Sequence, residues 1–244
     1  MSRLWKLDFC RGAAVIAMLA FNWQAALDFF GLRSFDYSQG FWWWFARATV
    51  AAFVFIAGFS MWLAVEKHGN GWAIKRGVML FTLGLAITLA TWVFVRQSFV
   101  VFGVLHLIGL STIITIPFLK MPRNAVLLSV IAAITAGVTL STVTVGFPWL
   151  VWLGFIPAGF SSIDYEPLLP WFGVFLAGLW VARVTLERDG TSRTPRSTPI
   201  TSVSASPALA SPLCFLGRHS LAIYLIHQPL LVAALALFGF IPKF

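Results

Sequence analysis

The sequence predicts an all-α fold: one polytopic transmembrane helix bundle of about seven spans, in a single domain covering residues 1–244. Of its 244 residues, 59% are hydrophobic and only 10% are charged, whereas soluble domains are about 45–50% apolar and about 25% charged. The mean hydropathy is +0.88. The apolar residues are also grouped in runs near the roughly 20 residues that a helix needs to cross a bilayer.

Seven runs approach this length, and the fourth is the shortest. They cover residues 8–30, 41–65, 73–95, 103–119, 124–142, 167–186 and 213–238. Residues 146–158 are also apolar, but Pro148 and Pro157 interrupt them. Because proline breaks a helix interior, we expect a re-entrant or interfacial segment here, with an eighth, half-length span as the alternative.

Residues 187–211 differ in composition from the rest of the chain. They are rich in Ser, Thr and Pro and contain few large apolar residues. Such a segment buries too little surface to offset the entropy of ordering. The sequence therefore predicts a disordered linker, on the cytoplasmic side.

The distribution of Lys and Arg predicts a cytoplasmic N-terminus. With that orientation only four of the 17 basic residues lie outside, namely Arg33, Arg47, Arg96 and Lys243. This satisfies the positive-inside rule. The net charge of +9 is thus spread over short loops facing lipid headgroups. It forms no soluble basic patch, so we expect membrane lipids and no nucleic acid as partners.

The last apolar run carries polar groups on one helical face. Ser220, Tyr224 and His227 follow an i, i+4, i+7 spacing, which aligns them on a helix. Polar groups inside a membrane helix are costly and normally face a bundle interior or a wet cavity. We therefore interpret this face as the lining of a functional site.

Two histidines are candidates for a general base. His106 lies one turn inside the predicted outer end of the fourth helix, and His227 reaches a similar depth. Histidine has an unperturbed pKa of about 6.5 and can accept a proton near neutrality. We expect both rings to face a common cavity and favour His106; a structural bond to a backbone carbonyl is the alternative. Asp164 either orients one ring or caps the sixth helix.

The predicted cytoplasmic helix ends carry arginines. Arg11 can pair with Asp8 at i, i+3 as a structural ion pair. Alternatively, Arg11, Arg76 and Arg218 together bind a phosphate-bearing ligand, since guanidinium groups match phosphate geometry. The sequence contains no zinc signature or nucleotide-phosphate loop, so we expect no metal.

Five stretches resemble the heparan-alpha-glucosaminide N-acetyltransferase catalytic-domain family, within the wider group of transmembrane acyltransferases. They occur in family order and span most of the chain: LDFCRGAAVIAML at 7–19, FVFIAGFS at 53–60, FGVLHLIGLS at 102–111, DYEPLLPWFGVFLAGL at 164–179 and LGRHSLAIYLIHQPLL at 216–231.

The resemblance implies a prokaryotic inner-membrane enzyme. It would take acetyl-CoA or another acyl-CoA from the cytoplasm and give the acyl group to an acceptor on the outer side, for example a sugar or another glycan component. Asn22 matches an asparagine near the end of helix one in the family. The lysosomal relative has a catalytic histidine in its first luminal loop, whereas residues 31–41 contain Asp36 and Tyr37 but no histidine.

The expected site combines both lines of reasoning. His106 or His227 acts as the base, Asn22 and Tyr224 orient the substrate or stabilise the oxyanion, and Asp164 assists. The acyl-CoA is bound by Arg11, Arg76, Arg218 and Ser220. A homodimer is left open as the oligomeric state. The competing interpretations are a non-enzymatic transporter or lipid- or small-molecule-binding bundle, and a catalytically silent family member.

Overall fold

The computed structural model describes residues 5–37, 39–188, 192–195 and 210–239. In these residues the chain is almost entirely helical, which confirms the predicted all-α class. The helices are α1 (Trp5–Phe29), α2 (Gly40–His68), α3 (Asn70–Phe94), α4 (Val104–Ile114), α5 (Arg123–Leu140), α6 (Leu168–Leu186), α7 (Ser211–Arg218) and α8 (Ser220–Leu237).

Five of these helices, α1, α2, α3, α5 and α6, are long and apolar enough to cross a membrane. The apolar helix α4 and residues Ser220–Leu235 of α8 are shorter. Together they match the seven predicted runs in order.

The short fourth and the seventh runs differ from their predicted extents. The fourth continues after α4 as a 3-10 helix, Pro117–Lys120, since Pro117 has no backbone N–H with which to continue the α-helix. The seventh is divided at His219, whose backbone leaves the helical region (φ −103°, ψ 13°) between α7 and α8.

Residues 146–158 form no helix of membrane length. A 3-10 helix, Val151–Leu153, lies between the two-residue strands β1 (Thr144–Val145) and β2 (Ile156–Pro157), which pair in parallel. The half-length eighth span is therefore not formed, whereas a position at the membrane interface remains a prediction.

The predicted linker at 187–211 is described only at its ends. Strand β3 (Glu187–Arg188) pairs antiparallel with β4 (Ser192–Pro195), and α7 begins at Ser211. Residues 189–191 and 196–209 lie outside the described residues, so the disorder prediction stays a prediction there.

The chain divides into two compact units. Unit 1 comprises Met1–Phe53 and Ser197–Phe244, and unit 2 comprises Val54–Arg196. Helix α2 contributes to both, because the division falls at its middle. The single domain remains a prediction, and each unit is described by itself.

In unit 1, α1 packs along α7 and α8. Gly12 and Gly217 make the approach of α1 and α7 possible. A Cβ at Gly12 would overlap the backbone carbonyl of Leu213, and one at Gly217 would overlap that of Asp8. Small residues commonly permit such close helix contacts in membranes. The contact brings Arg218, at the end of α7, next to the first turns of α1.

In unit 2, α3 and α4 pack as an antiparallel pair. Gly109 lies against Gly77 and Phe81, and Gly84 lies against the ring of His106. The loop before α4 is held by the segment before α6: Ile163 N–H donates to Ser98 O (2.9 Å) and Glu166 N–H to Phe102 O (2.8 Å). These bonds fix the end of unit 2 that contains His106 and Asp164.

Candidate functional site

A buried carboxylate joins two of the predicted phosphate-binding arginines. Asp8 is 3% exposed; its Oδ1 lies 3.4 Å from Arg11 Nη1, and its Oδ2 lies 3.5 Å from Arg218 Nε. The predicted Asp8–Arg11 pair is therefore present, and Arg218 joins it across the α1–α7 contact. One carboxylate between two guanidinium groups leaves a net positive charge for an anionic ligand. Arg76 lies on α3 in unit 2, so its part in a shared phosphate site stays a prediction.

Asn22 is held by two hydrogen bonds. Its Nδ2 donates to Met18 O one turn earlier (3.0 Å), and its Oδ1 accepts a bond from Gln228 Nε2 on α8 (3.1 Å). These bonds fix the orientation of the amide. One N–H of Asn22 then remains available as a donor, since an amide nitrogen carries two.

Ser220, Tyr224 and His227 all lie within α8, so the predicted common helical face is confirmed. The rings of Tyr224 and His227 are 5.9 Å apart between centroids. Ser220 is the first residue of α8, next to Arg218 at the end of α7. The face therefore runs from the arginine cluster toward His227 and Gln228.

The hydrogen bonds of His227 define its tautomer. Nδ1 lies 2.8 Å from Tyr224 O and 3.1 Å from Ile223 O. Because carbonyl oxygens only accept hydrogen bonds, Nδ1 carries the proton and Nε2 carries the lone pair. Nε2 is buried and has no hydrogen-bond partner among the described residues. This nitrogen is therefore oriented and able to accept a proton.

His106 has a different environment. It is 2% exposed, and its Nδ1 accepts a bond from the Gly103 N–H (3.2 Å), which puts the ring proton on Nε2. Nε2 lies 3.4 Å from Thr88 Oγ1, and that hydroxyl donates to Val100 O (2.7 Å). Both ring nitrogens thus take part in a chain of bonds that links α3, α4 and the loop between them.

Aromatic contacts further fix the ring of His106. Phe102 stacks on it at 5.4 Å and Phe81 meets it edge-on at 5.3 Å, measured between ring centroids. Since His106 lies in unit 2 and His227 in unit 1, the common cavity predicted for the two rings stays a prediction.

Asp164 lies at the N-terminus of α4. Its carboxylate contacts Gly103, the residue whose N–H donates to His106. A negative charge there is favourable at the positive end of the helix dipole. Backbone bonds hold the segments before α4 and α6 together and bring Asp164 next to the start of α4. Its predicted capping of the sixth helix stays a prediction.

Tyr37 lies in the loop between α1 and α2. Its ring contacts Phe21, the neighbour of Asn22, at 5.7 Å between centroids, and its hydroxyl has no partner within the described part of the chain. Burial, with a further contribution from the negative charge of Asp28, raises the pKa of Tyr37 to about 12. Tyr37 is therefore a neutral hydrogen-bond donor and not a base at physiological pH.

Two residues of these networks were not singled out as site residues. Gln228 was visible as an amide inside an apolar run, but its partner Asn22 is distant in sequence. Thr88 gave no signal, because threonine in helices usually bonds its own backbone, as Thr91 does with Ile87 O (2.8 Å). Among the described residues, no three His, Cys, Asp or Glu side chains form a metal-binding group.

Comparison with known proteins gives one match. No curated protein and no solved structure matches the sequence significantly. The family model "Heparan-alpha-glucosaminide N-acetyltransferase, catalytic" matches residues 3–229, nearly the whole chain. The match includes α1, α7 and the part of α8 with Tyr224, His227 and Gln228, so the chain belongs to the heparan-alpha-glucosaminide N-acetyltransferase catalytic-domain family.

Proposed function

We propose that this protein is a transmembrane acyltransferase that uses cytoplasmic acetyl-CoA, or another acyl-CoA, and acylates an acceptor on the outer side. Family membership supports acetyl transfer. One structural observation carries the assignment to specific residues: His227 on α8 presents a buried Nε2 that has no partner among the described residues, and α8 packs on α1, the helix that carries Asn22 and Arg11.

The length of α1 fits an acyl donor that extends from one face of the membrane toward the other. Asn22 follows Asp8 by 14 residues, which corresponds to about 21 Å of helix. The hydrocarbon core is about 30 Å thick. Phosphates held by Arg11 and Arg218 at the cytoplasmic face would thus allow an extended acyl-bearing arm to reach Asn22 and His227.

The proposed reaction uses His227 as the base. Nε2 accepts the proton of an acceptor hydroxyl or amine as the acceptor atom attacks the thioester carbonyl. The remaining N–H of Asn22 and the hydroxyl of Tyr224 stabilise the oxyanion. The C–S bond then breaks, and the CoA thiolate takes the proton from the imidazolium.

We assign the base to His227 in preference to His106. Both nitrogens of His106 already have partners within unit 2, so proton transfer there would first require one of these bonds to break. Arg76 and Ser220 stay proposed ligands of the acyl-CoA, and Asp164, beside Gly103, stays a supporting residue.

The acyl acceptor, the orientation in the membrane and the oligomeric state are also part of the proposed function. The family description favours an amino sugar or another glycan component as acceptor. The excess of cytoplasmic Lys and Arg favours a multi-pass protein of a prokaryotic inner membrane with its N-terminus inside, surrounded by lipids and open to homodimer formation.

Transfer of labelled acetyl groups tests this function. Purified protein in lipid nanodiscs is incubated with labelled acetyl-CoA and a panel of amino sugars and glycans. We expect transfer by the natural protein and a loss of about 10²–10⁴-fold in His227→Ala, with CoA binding retained. His68→Ala, at the exposed end of α2, is the matched control. A natural protein that neither binds CoA nor transfers acetyl would support the transporter or lipid-binding alternative.

A further inference from the structure

The short helix α7 exposes an aromatic ring beside a charged side chain. Phe215 is 58% exposed, and 46% of the side chain of Arg218 is exposed. Residues spaced by three lie on the same helical face. Because charged groups avoid the hydrocarbon core of a membrane, the face that carries Arg218 lies at the membrane surface or outside it. Phe215 is therefore presented to the same polar surroundings.

His219 extends this surface. It is exposed, and its ring lies 4.3 Å from that of Phe215, measured between centroids, with an angle of 38° between the two planes. Its Nδ1 lies 2.9 Å from Phe215 O. Because a carbonyl oxygen only accepts hydrogen bonds, Nδ1 carries the proton, and in the neutral ring Nε2 carries the lone pair. The pair thus combines two aromatic rings with one hydrogen-bond acceptor.

The groups next to this surface favour an anion. Arg218 and Arg11 share the carboxylate of Asp8, and α8 begins at Ser220, so the positive end of its dipole lies beside Arg218. In a nucleotide, one ribose separates the base from a phosphate. Side chains at i and i+3 begin about 5–6 Å apart. A base stacked on Phe215 would therefore keep its phosphate within reach of Arg218.

We propose that Phe215 and His219 form the surface that binds the adenine ring of the acyl-CoA. Aromatic side chains hold bases by stacking on their π-faces, and adenine is the one aromatic part of CoA. Its exocyclic amine donates hydrogen bonds, which matches the lone pair on Nε2 of His219. This inference rests on the proposed function and assigns the nucleotide end of the donor to α7.

The first experiment tests the stacking. Acetyl-CoA and adenosine 3′,5′-bisphosphate both contain adenine and phosphates, but the second ligand lacks the acyl-bearing arm. Binding of each to protein in lipid nanodiscs is measured by calorimetry for Phe215→Ala and Phe215→Trp. Phe238→Ala is the matched control, because Phe238 is also an exposed aromatic side chain of unit 1 (79%).

We expect Phe215→Ala to raise the Kd for both ligands by the same factor, at least about fivefold, because the stacking contact is lost. Phe215→Trp keeps an aromatic ring and should bind both ligands at least as tightly as the natural protein. Phe238→Ala should leave both Kd values unchanged.

The second experiment tests the hydrogen bond to His219. An analogue of acetyl-CoA with hypoxanthine in place of adenine has a carbonyl oxygen where the amine was. The natural protein should bind this analogue about three- to tenfold less tightly than acetyl-CoA. His219→Phe keeps an aromatic ring but has no acceptor, so it should lose this preference. Equal binding of the two donors by the natural protein would remove His219 from the site.

Several results would overturn the stacking assignment. An unchanged Kd for acetyl-CoA in folded Phe215→Ala removes Phe215 from the site, and a lower Tm with unchanged affinity makes it a structural residue. Weaker binding of acetyl-CoA alone, or a natural protein that binds acetyl-CoA but not adenosine 3′,5′-bisphosphate, places recognition outside the nucleotide. If the natural protein binds neither ligand, the proposed function itself fails.

Discussion

Gln228 on α8 donates a hydrogen bond of 3.1 Å to the side-chain oxygen of Asn22 on α1. This bond connects residues 206 positions apart and fixes the amide that we propose as an oxyanion donor. Gln228 directly follows His227 in the sequence. Gln228 is exposed, so its replacement should leave the packing of unit 1 intact. Gln228 is thus a positioning residue whose effect can be measured separately from folding.

Replacing Gln228 should therefore lower activity through Asn22. For Gln228→Ala we expect kcat to fall about five- to tenfold, as one hydrogen bond of about 1 kcal/mol is lost. Gln228→Glu should be worse, because a carboxylate repels Asn22 Oδ1. A double-mutant cycle with Asn22→Ala measures the coupling. The exposed Gln97 provides the control Gln97→Ala, and additive effects in the cycle would contradict the link.

His106 should contribute mainly to stability. His106→Ala removes a buried ring and two hydrogen bonds, so we expect a loss of about 2–4 kcal/mol in the free energy of unfolding. Thr88→Val removes one partner and should cost about 1–2 kcal/mol. Thermal unfolding in detergent measures both, with the exposed Thr139→Ala as control. Lost acetyl transfer at unchanged stability and CoA binding would instead make His106 the base, as the sequence first suggested.

Arg218 should bind the phosphates of CoA. For Arg218→Ala we expect the Kd for CoA to rise at least about tenfold, because a charge-assisted hydrogen bond contributes about 1.5–3 kcal/mol. Arg33→Ala, in the loop after α1, is the control. Calorimetry gives both values. An unchanged Kd in a folded Arg218→Ala protein would restrict Arg218 to its ion pair with Asp8.

Two tyrosines should ionise only at high pH. Burial is the main cause that raises the pKa of Tyr37 and of Tyr165 to about 12, with added contributions from Asp28 and Glu166. In the unfolded chain both would ionise near pH 10. Folded protein keeps these protons longer, so its stability should fall as the pH rises from about 10 to 12. Absorbance titration of Tyr37→Phe and of Tyr165→Phe should each show that one late step is lost relative to the natural protein. Loss of a step near pH 10 instead would contradict the burial of the replaced tyrosine.

The orientation in the membrane can be read by cysteine labelling. In a background with Cys10 and Cys214 replaced, a cysteine at Ser161 should react with an impermeant thiol reagent in intact cells. A cysteine at Ser204, which lies outside the described residues, should be protected until the cells are opened. The physical basis is the excess of Lys and Arg on the predicted cytoplasmic side. The reversed labelling pattern would place the N-terminus outside.

The order of the apolar runs, the all-α class and the alignment of Ser220, Tyr224 and His227 could be predicted from the sequence. These features depend on local quantities, namely the hydropathy of about 20 consecutive residues and the 3.6-residue helical period. The extents of the fourth and seventh apolar runs were predicted less well. The break at His219 between α7 and α8 was not predicted from the seventh run.

The contacts between distant residues were decided by the tertiary structure alone. Asp8 pairs with Arg11 by sequence spacing, yet it meets Arg218 only because Gly12 and Gly217 let two helix backbones approach closely. In the sequence, both histidines were polar groups in apolar runs, and His106 was the favoured base. Their hydrogen-bond partners separate them: Gly103 and Thr88 engage both nitrogens of His106, whereas backbone carbonyls hold Nδ1 of His227 and leave Nε2 with its lone pair. A residue type determines which bonds are possible, and the packing of distant segments determines which of them form.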